Sequence, residues 1–169
     1  MQLLLVLWLS LAAHANELQL GAEGTAQIEI VEANEKATLK VHLPDGNVQT
    51  IGGLGEHVQF LTKEGKSGKI AAQDFDGDGK QEFVVRVTVP PKASHVYVYR
   101  FDSELKKFRP VAFADDDHIV ADYNEMVEVL PDGIAYEMEV WAPEDEFKTG
   151  APSRIRSLWH FREKRFLPF

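Results

Sequence analysis

The chain has 169 residues, 44% of them hydrophobic and 27% charged, the ordinary balance of a folded globular protein. A formal net charge of −9 argues against nucleic acid as a partner, because phosphate binding needs a basic face, and against attraction to anionic lipid. The chain contains no cysteine, which excludes a disulfide framework and attachment of lipid to a cysteine.

The chain opens with an apolar run over residues 3–13, too short for a bilayer, which needs about 20 residues. Ala13-His14-Ala15 then gives the small-x-small pattern that signal peptidase accepts. These features predict a signal peptide over residues 1–15, cleaved after Ala15. The mature chain, residues 16–169, is expected to be one all-β domain, free in the periplasm or outside the cell. No Lys or Arg precedes the apolar run, and a buried N-terminal strand or helix is the alternative.

Alternation with period two dominates the rest of the chain. Residues 25–32 and 37–43 read as two strands around the turn Ala33-Asn34-Glu35-Lys36. Pro44-Asp45-Gly46 is a second turn, since proline presets φ and glycine accepts a positive one. Shorter strands are expected over residues 48–51, 57–61 and 69–73. Residues 82–89 are almost all β-formers and stop at Pro90-Pro91. An aromatic strand over 95–101 turns at 102–105 into 106–111. Strands over 126–130 and 134–141 flank a second Leu-Pro-Asp-Gly turn. Strands over 157–161 and 165–169 repeat the aromatic hairpin. About ten to twelve short strands with no convincing helical face imply antiparallel hairpins in one compact domain, a small propeller-like fold or a sandwich.

The most informative segment is Asp74-Phe75-Asp76-Gly77-Asp78-Gly79-Lys80-Gln81-Glu82. Calcium wants six to eight oxygens at about 2.3–2.6 Å. Carboxylates at loop positions 1, 3 and 5 converge only if the backbone curls around the ion, and Gly79 permits the sharp turn. The Lys80 carbonyl and the Glu82 carboxylate can complete the shell. Without a cation, three aspartates this close repel. The expected metal ligands are therefore Asp74, Asp76, Asp78, Lys80 and Glu82, with Ca²⁺ as the ion. The alternative is an acidic Asp-Gly turn without metal. An EF-hand is excluded, because its twelfth position would be Val85 and a strand follows where a helix is needed.

This pattern resembles the Asp-x-Asp-x-Asp-Gly-x-x-acid calcium loop of FG-GAP and VCBS-type β repeats, although Glu82 stands where Asp is commoner. With one such loop, the chain looks more like small exported, lysozyme-inhibitor-like β proteins. In those proteins a strand and an aromatic Tyr-x-Tyr hairpin similarly follow the loop, here residues 83–89 and 97–108, with a last aromatic hairpin at 159–166. The resemblance covers residues 60–169. It implies a noncatalytic envelope protein that inhibits, or gives immunity to, a peptidoglycan hydrolase. Such inhibitors insert a Ser-Gly loop into the enzyme cleft. Ser67 and Gly68, or Gly150, Ser153 and Arg154, are the corresponding candidates here, though neither segment matches an inhibitor motif well. A structural or adhesive module with calcium as a staple is the alternative, and an envelope hydrolase a further one.

Other chemistry finds little support. Gly65-Lys66-Ser67 imitates a P-loop tail, but Phe60 stands where the first glycine belongs. His42, His57, His95, His118 and His160 lack zinc spacing and read as surface or strand residues. Asp115-Asp116-Asp117 with Asp122 and Asn124 is a weaker candidate cation site, against a solvated acidic turn. No carboxylate pair stands out as a glycosidase dyad, so no catalysis is expected.

Overall fold

A computed structural model describes residues 16–91, 93–114, 116–122, 125–140 and 153–168, without the side chains of 138–140 and 154. The expected signal peptide, residues 1–15, lies outside them. In chain order, β1 (Asn16–Gln19), β2 (Thr25–Ala33), β3 (Lys36–His42) and β4 (Val48–Ile51) form a first antiparallel sheet. β5 (Val58–Gln59) enters a second sheet, while β6 (Leu61–Lys63) and β7 (Lys66–Gly68) enter a third. β8 (Ile70–Gln73), β9 (Glu82–Val89), β10 (Ala93–Asp102), β11 (Lys107–Pro110) and β12 (Ile119–Asp122) complete the second. β13 (Val127–Leu130), β14 (Gly133–Val140), β15 (Ser153–Arg162) and β16 (Arg165–Pro168) complete the third. The fold is all-β, and the described strand pairs are antiparallel except where β6 runs parallel to β13. Among the described residues no helix is long and apolar enough to cross a membrane.

The second sheet is the middle layer, and the residue pattern of β9 explains why. Phe83, Val85 and Val87 enter a core shared with Leu18, Leu39 and Val41 of the first sheet. Val84, on the opposite face, enters a core shared with Val127, Val129, Ile134 and Phe166 of the third. β10 divides likewise, with Tyr97, Tyr99 and Phe101 on one side and Val96 and Val98 on the other. A strand buried on both faces cannot alternate apolar with polar, so β9 reads as a continuous run of β-formers. Arg86, a charged residue in the middle of this strand, is 4% exposed. It donates to Ser94 Oγ (2.9 Å) and to the carbonyls of Glu125 (2.5 Å) and Asp122 (2.9 Å), fastening β9 to the segment after β12.

Most of the expected strands are present, and sixteen are described rather than ten to twelve. The expected strand over 57–61 is two strands. Val58 faces the first core and Leu61 the second, so the chain changes sheet at Phe60, which is left exposed. β1, β7 and β12 had no expected counterpart. The turn between β2 and β3 is tighter than the four residues suggested, with Asn34 (φ +51°) and Glu35 (φ +57°) alone between the strands. Positive φ at both central residues matches the right-handed twist of the flanking strands. Glu64-Gly65 and Glu163-Lys164 join their hairpins in the same way. The two aromatic hairpins are both formed, pairing Phe101 with Phe108 and Phe161 with Phe166.

Candidate metal centre

The acidic loop joins β8 to β9, which pair antiparallel from Gln73↔Glu82 to Ile70↔Val85. The hairpin therefore fixes both ends of residues 74–82. Phe75 reaches down from the loop into the second core, edge-on to Phe166 (5.1 Å) and stacked on Phe161 (5.8 Å). On the other flank, Gln81 N–H donates to the Gln19 carbonyl (2.8 Å), and Lys80 bridges to Leu20. The loop is thus pinned to both cores.

Asp74 organises the curl. Its Oδ1 accepts from Gly77 N–H (2.8 Å) and Asp78 N–H (3.2 Å), and its Oδ2 accepts from Gly79 N–H (2.9 Å). Such a nest of amides needs left-handed backbone, supplied by Gly77 (φ +72°) and Gly79 (φ +82°). Asp76 Oδ1 accepts from Asp78 N–H (3.3 Å), and Asp78 Oδ1 from Lys80 N–H (2.8 Å). One carboxylate oxygen from each of Asp74, Asp76 and Asp78 lies within 4.8 Å of the others. This arrangement could hold a metal ion. It is the one such trio among the described residues.

Glu82 sits beneath the cluster, fully buried. Its Oε2 accepts from Phe75 N–H (3.0 Å), while its Oε1 accepts no hydrogen bond. Burial pushes its carboxyl up to about 7 and neighbouring Asp76 adds to this, against Phe75 N–H and Arg100, which favour the ionised form. A buried carboxylate oxygen with no donor is costly unless a cation answers it. The donor set therefore fits a hard cation: carboxylates and backbone, with neither nitrogen nor sulfur.

Arg100, near the end of β10, was not singled out by the sequence. Its Nη2 donates to Asp76 Oδ2 and to Asp78 Oδ2 (2.8 Å), and its Nε stands 3.5 Å from Glu82 Oε1. Desolvation works against its charge, but Asp78, Asp76 and Glu82 outweigh it and hold the guanidinium more firmly protonated. The same contacts and Lys80 N–H keep the Asp78 carboxyl below its ordinary value, although its partial burial works the other way. A lone arginine beside aromatic residues was the available signal. Its position opposite the loop comes from the β9–β10 pairing, which local pattern does not contain.

The expected ligands are not all placed alike. Asp74, Asp76 and Asp78 converge. Lys80 lies at the foot of the loop with its side chain on Ser103 Oγ (2.6 Å). Glu82 joins the cluster through Arg100. The candidate partner residues do not gather. Ser67 and Gly68 lie in β7 at the edge of the third sheet, whereas Ser153 and Arg154 begin β15. Three strands intervene, a separation of about 20 Å at the usual strand spacing. Gly150 lies outside the described residues.

Among the described residues of the weaker cation candidate, Asp116, Asp117 and Asp122 form no metal-capable trio. Asp116 makes a backbone bridge to Phe113, Asp117 accepts from or pairs with His118 (2.6 Å), and Asp122 lies in β12. Asp115 and Asn124 are outside the described residues. Nearby, His118 stacks on His95 at 4.0 Å, and Tyr97 Oη contacts His95 Nδ1 at 3.2 Å. Burial, then the neighbouring His118, lowers the His95 pKa.

Compared with known proteins, the chain matches no family model, no curated protein and no solved structure.

Proposed function

We propose that this chain is an exported, noncatalytic protein of the cell envelope that binds calcium in the loop of residues 74–82. The observation that carries the reading is the convergence of Asp74, Asp76 and Asp78 above a buried Glu82 whose Oε1 accepts no hydrogen bond. A dense, all-oxygen carboxylate set on a curled loop suits calcium's large, flexible shell better than magnesium's small, water-rich octahedron. The Lys80 carbonyl and the Glu82 carboxylate would complete the ligand set. In its sharper form the protein inhibits, or confers immunity to, a peptidoglycan hydrolase. That form rests on the likeness of the loop and aromatic hairpins to lysozyme-inhibitor-like proteins.

A second reading, a structural or adhesive module stapled by calcium, draws on the loop's attachment to both cores through Phe75 and Lys80. Ion binding there would be felt by the whole fold. Thermal melts of chelator-treated protein with calcium, with magnesium and with neither test the shared premise. Calcium is expected to raise the melting temperature and magnesium to do so much less. Cell-wall turbidity assays then separate the two forms: protection against a lysozyme supports the inhibitor, and no effect on any lysozyme type leaves the staple.

A further inference from the structure

The carboxylate oxygens around the loop are shared between two kinds of donor. Backbone N–H groups take both oxygens of Asp74, Oδ1 of Asp76, Oδ1 of Asp78 and Oε2 of Glu82. What remains is Asp76 Oδ2, Asp78 Oδ2 and Glu82 Oε1. All three face the same guanidinium. A divalent ion that needs six to eight oxygens would draw on this remainder as well as on the second lone pairs of the amide-bonded oxygens. An ion at bonding distance from those oxygens would also lie close to the positive charge of Arg100, and two cations that close repel.

We propose that Arg100 is a resident counter-cation that occupies the calcium carboxylates in the ion-free protein and must give them up when the metal binds. The proposal rests on the calcium reading and adds the regulation of that site. Arg100 suits the role by position. It lies on β10 of the middle sheet, one residue beyond the Tyr99↔Phe83 pair of the β9 ladder and itself paired with Arg109 of β11, so the sheet backbone places it opposite the loop. Its side chain is 24% exposed, so solvent is at hand for a displaced guanidinium. The arginine keeps mutually repelling carboxylates together without metal, and it sets the calcium concentration at which they exchange one cation for the other. Calcium affinity is then lower than the carboxylates alone would give.

Calorimetric titration of calcium chloride into chelator-stripped wild type, Arg100→Ala and Arg100→Gln tests this. Circular dichroism checks the fold, and Arg100→Gln retains the stem and an amide donor if Arg100→Ala unfolds. Charge-assisted hydrogen bonds contribute enough that losing the competitor should tighten binding by about tenfold or more in both variants. Their ion-free melting temperatures should fall, and the increase on adding calcium should exceed that of wild type. Binding by the variants alone would also support the inference, since Arg100 would then block the wild-type site. Equal or weaker binding by the variants overturns it while leaving calcium binding intact. Silence from all three proteins overturns both.

Discussion

Stripped of divalent ions, the protein should lose stability between about pH 5 and pH 8, with Glu82 as the main cause. Burial pushes its carboxyl up to about 7, from 4.5 for the unperturbed group. Between those values the folded state holds a proton that the unfolded state has released. The stabilisation is therefore present at low pH and is lost as pH rises through about 7. At about 1.4 kcal/mol for each tenfold change in acidity, the loss is on the order of 2–3 kcal/mol. For a domain of this size that lowers the melting temperature by roughly 5–10 °C. His95 acts in the opposite sense. Its lowered pKa makes the unfolded chain the better proton binder, so its contribution grows as pH approaches 6.5. Urea melts followed by circular dichroism, on wild type and on a His95→Gln background, isolate the Glu82 effect. If calcium binds as proposed, a saturating concentration holds Glu82 ionised and should remove the downward slope. Ion-free stability that stays flat or rises across this range in both backgrounds would refute the reasoning.

Other substitutions probe the scaffold. Asp74→Ala leaves Gly77 and Gly79 N–H without their acceptor, and Asp78 N–H with Asp76 Oδ1 alone, and should cost about 2–3 kcal/mol in urea melts even without calcium. Gly133→Ala would drive a Cβ into the Trp159 carbonyl across the β14–β15 pair. A loss of about 1–3 kcal/mol is expected, and an unchanged melt would contradict that close approach. Phe83→Ala empties a fully buried position stacked on Tyr99 (5.0 Å) and edge-on to Phe108 (5.2 Å), and should cost about 3–5 kcal/mol.

Much of the architecture was legible because strand signals are local. β4 and β9 have the limits that alternation and β-forming residues predict, and both aromatic hairpins are where their turns place them. The strands without a local signal are of a different kind. β7 contains Lys66, Ser67 and Gly68, and β12 contains four residues beside an acidic stretch. Both owe their conformation to partners, Lys63↔Lys66 in one case and Val96↔Ile119 in the other. Layering was also out of reach, because which face of β9 meets which sheet depends on contacts between residues far apart in the chain. The acidic loop shows the same division. Its aspartates and glycines announce the curl, and the structure forms it. Glu82 was legible as the acid that can complete the shell, but its burial comes from pairing in β9, and only the β10 ladder brings Arg100 opposite.

Calcium titration calorimetry on chelator-stripped wild type beside Asp76→Asn tests the central claim most directly. A single saturable site in the wild type, weakened more than about tenfold by loss of the Asp76 carboxylate, is the predicted result. No heat from wild type or Arg100→Ala, with melting temperatures unmoved by calcium, would contradict it.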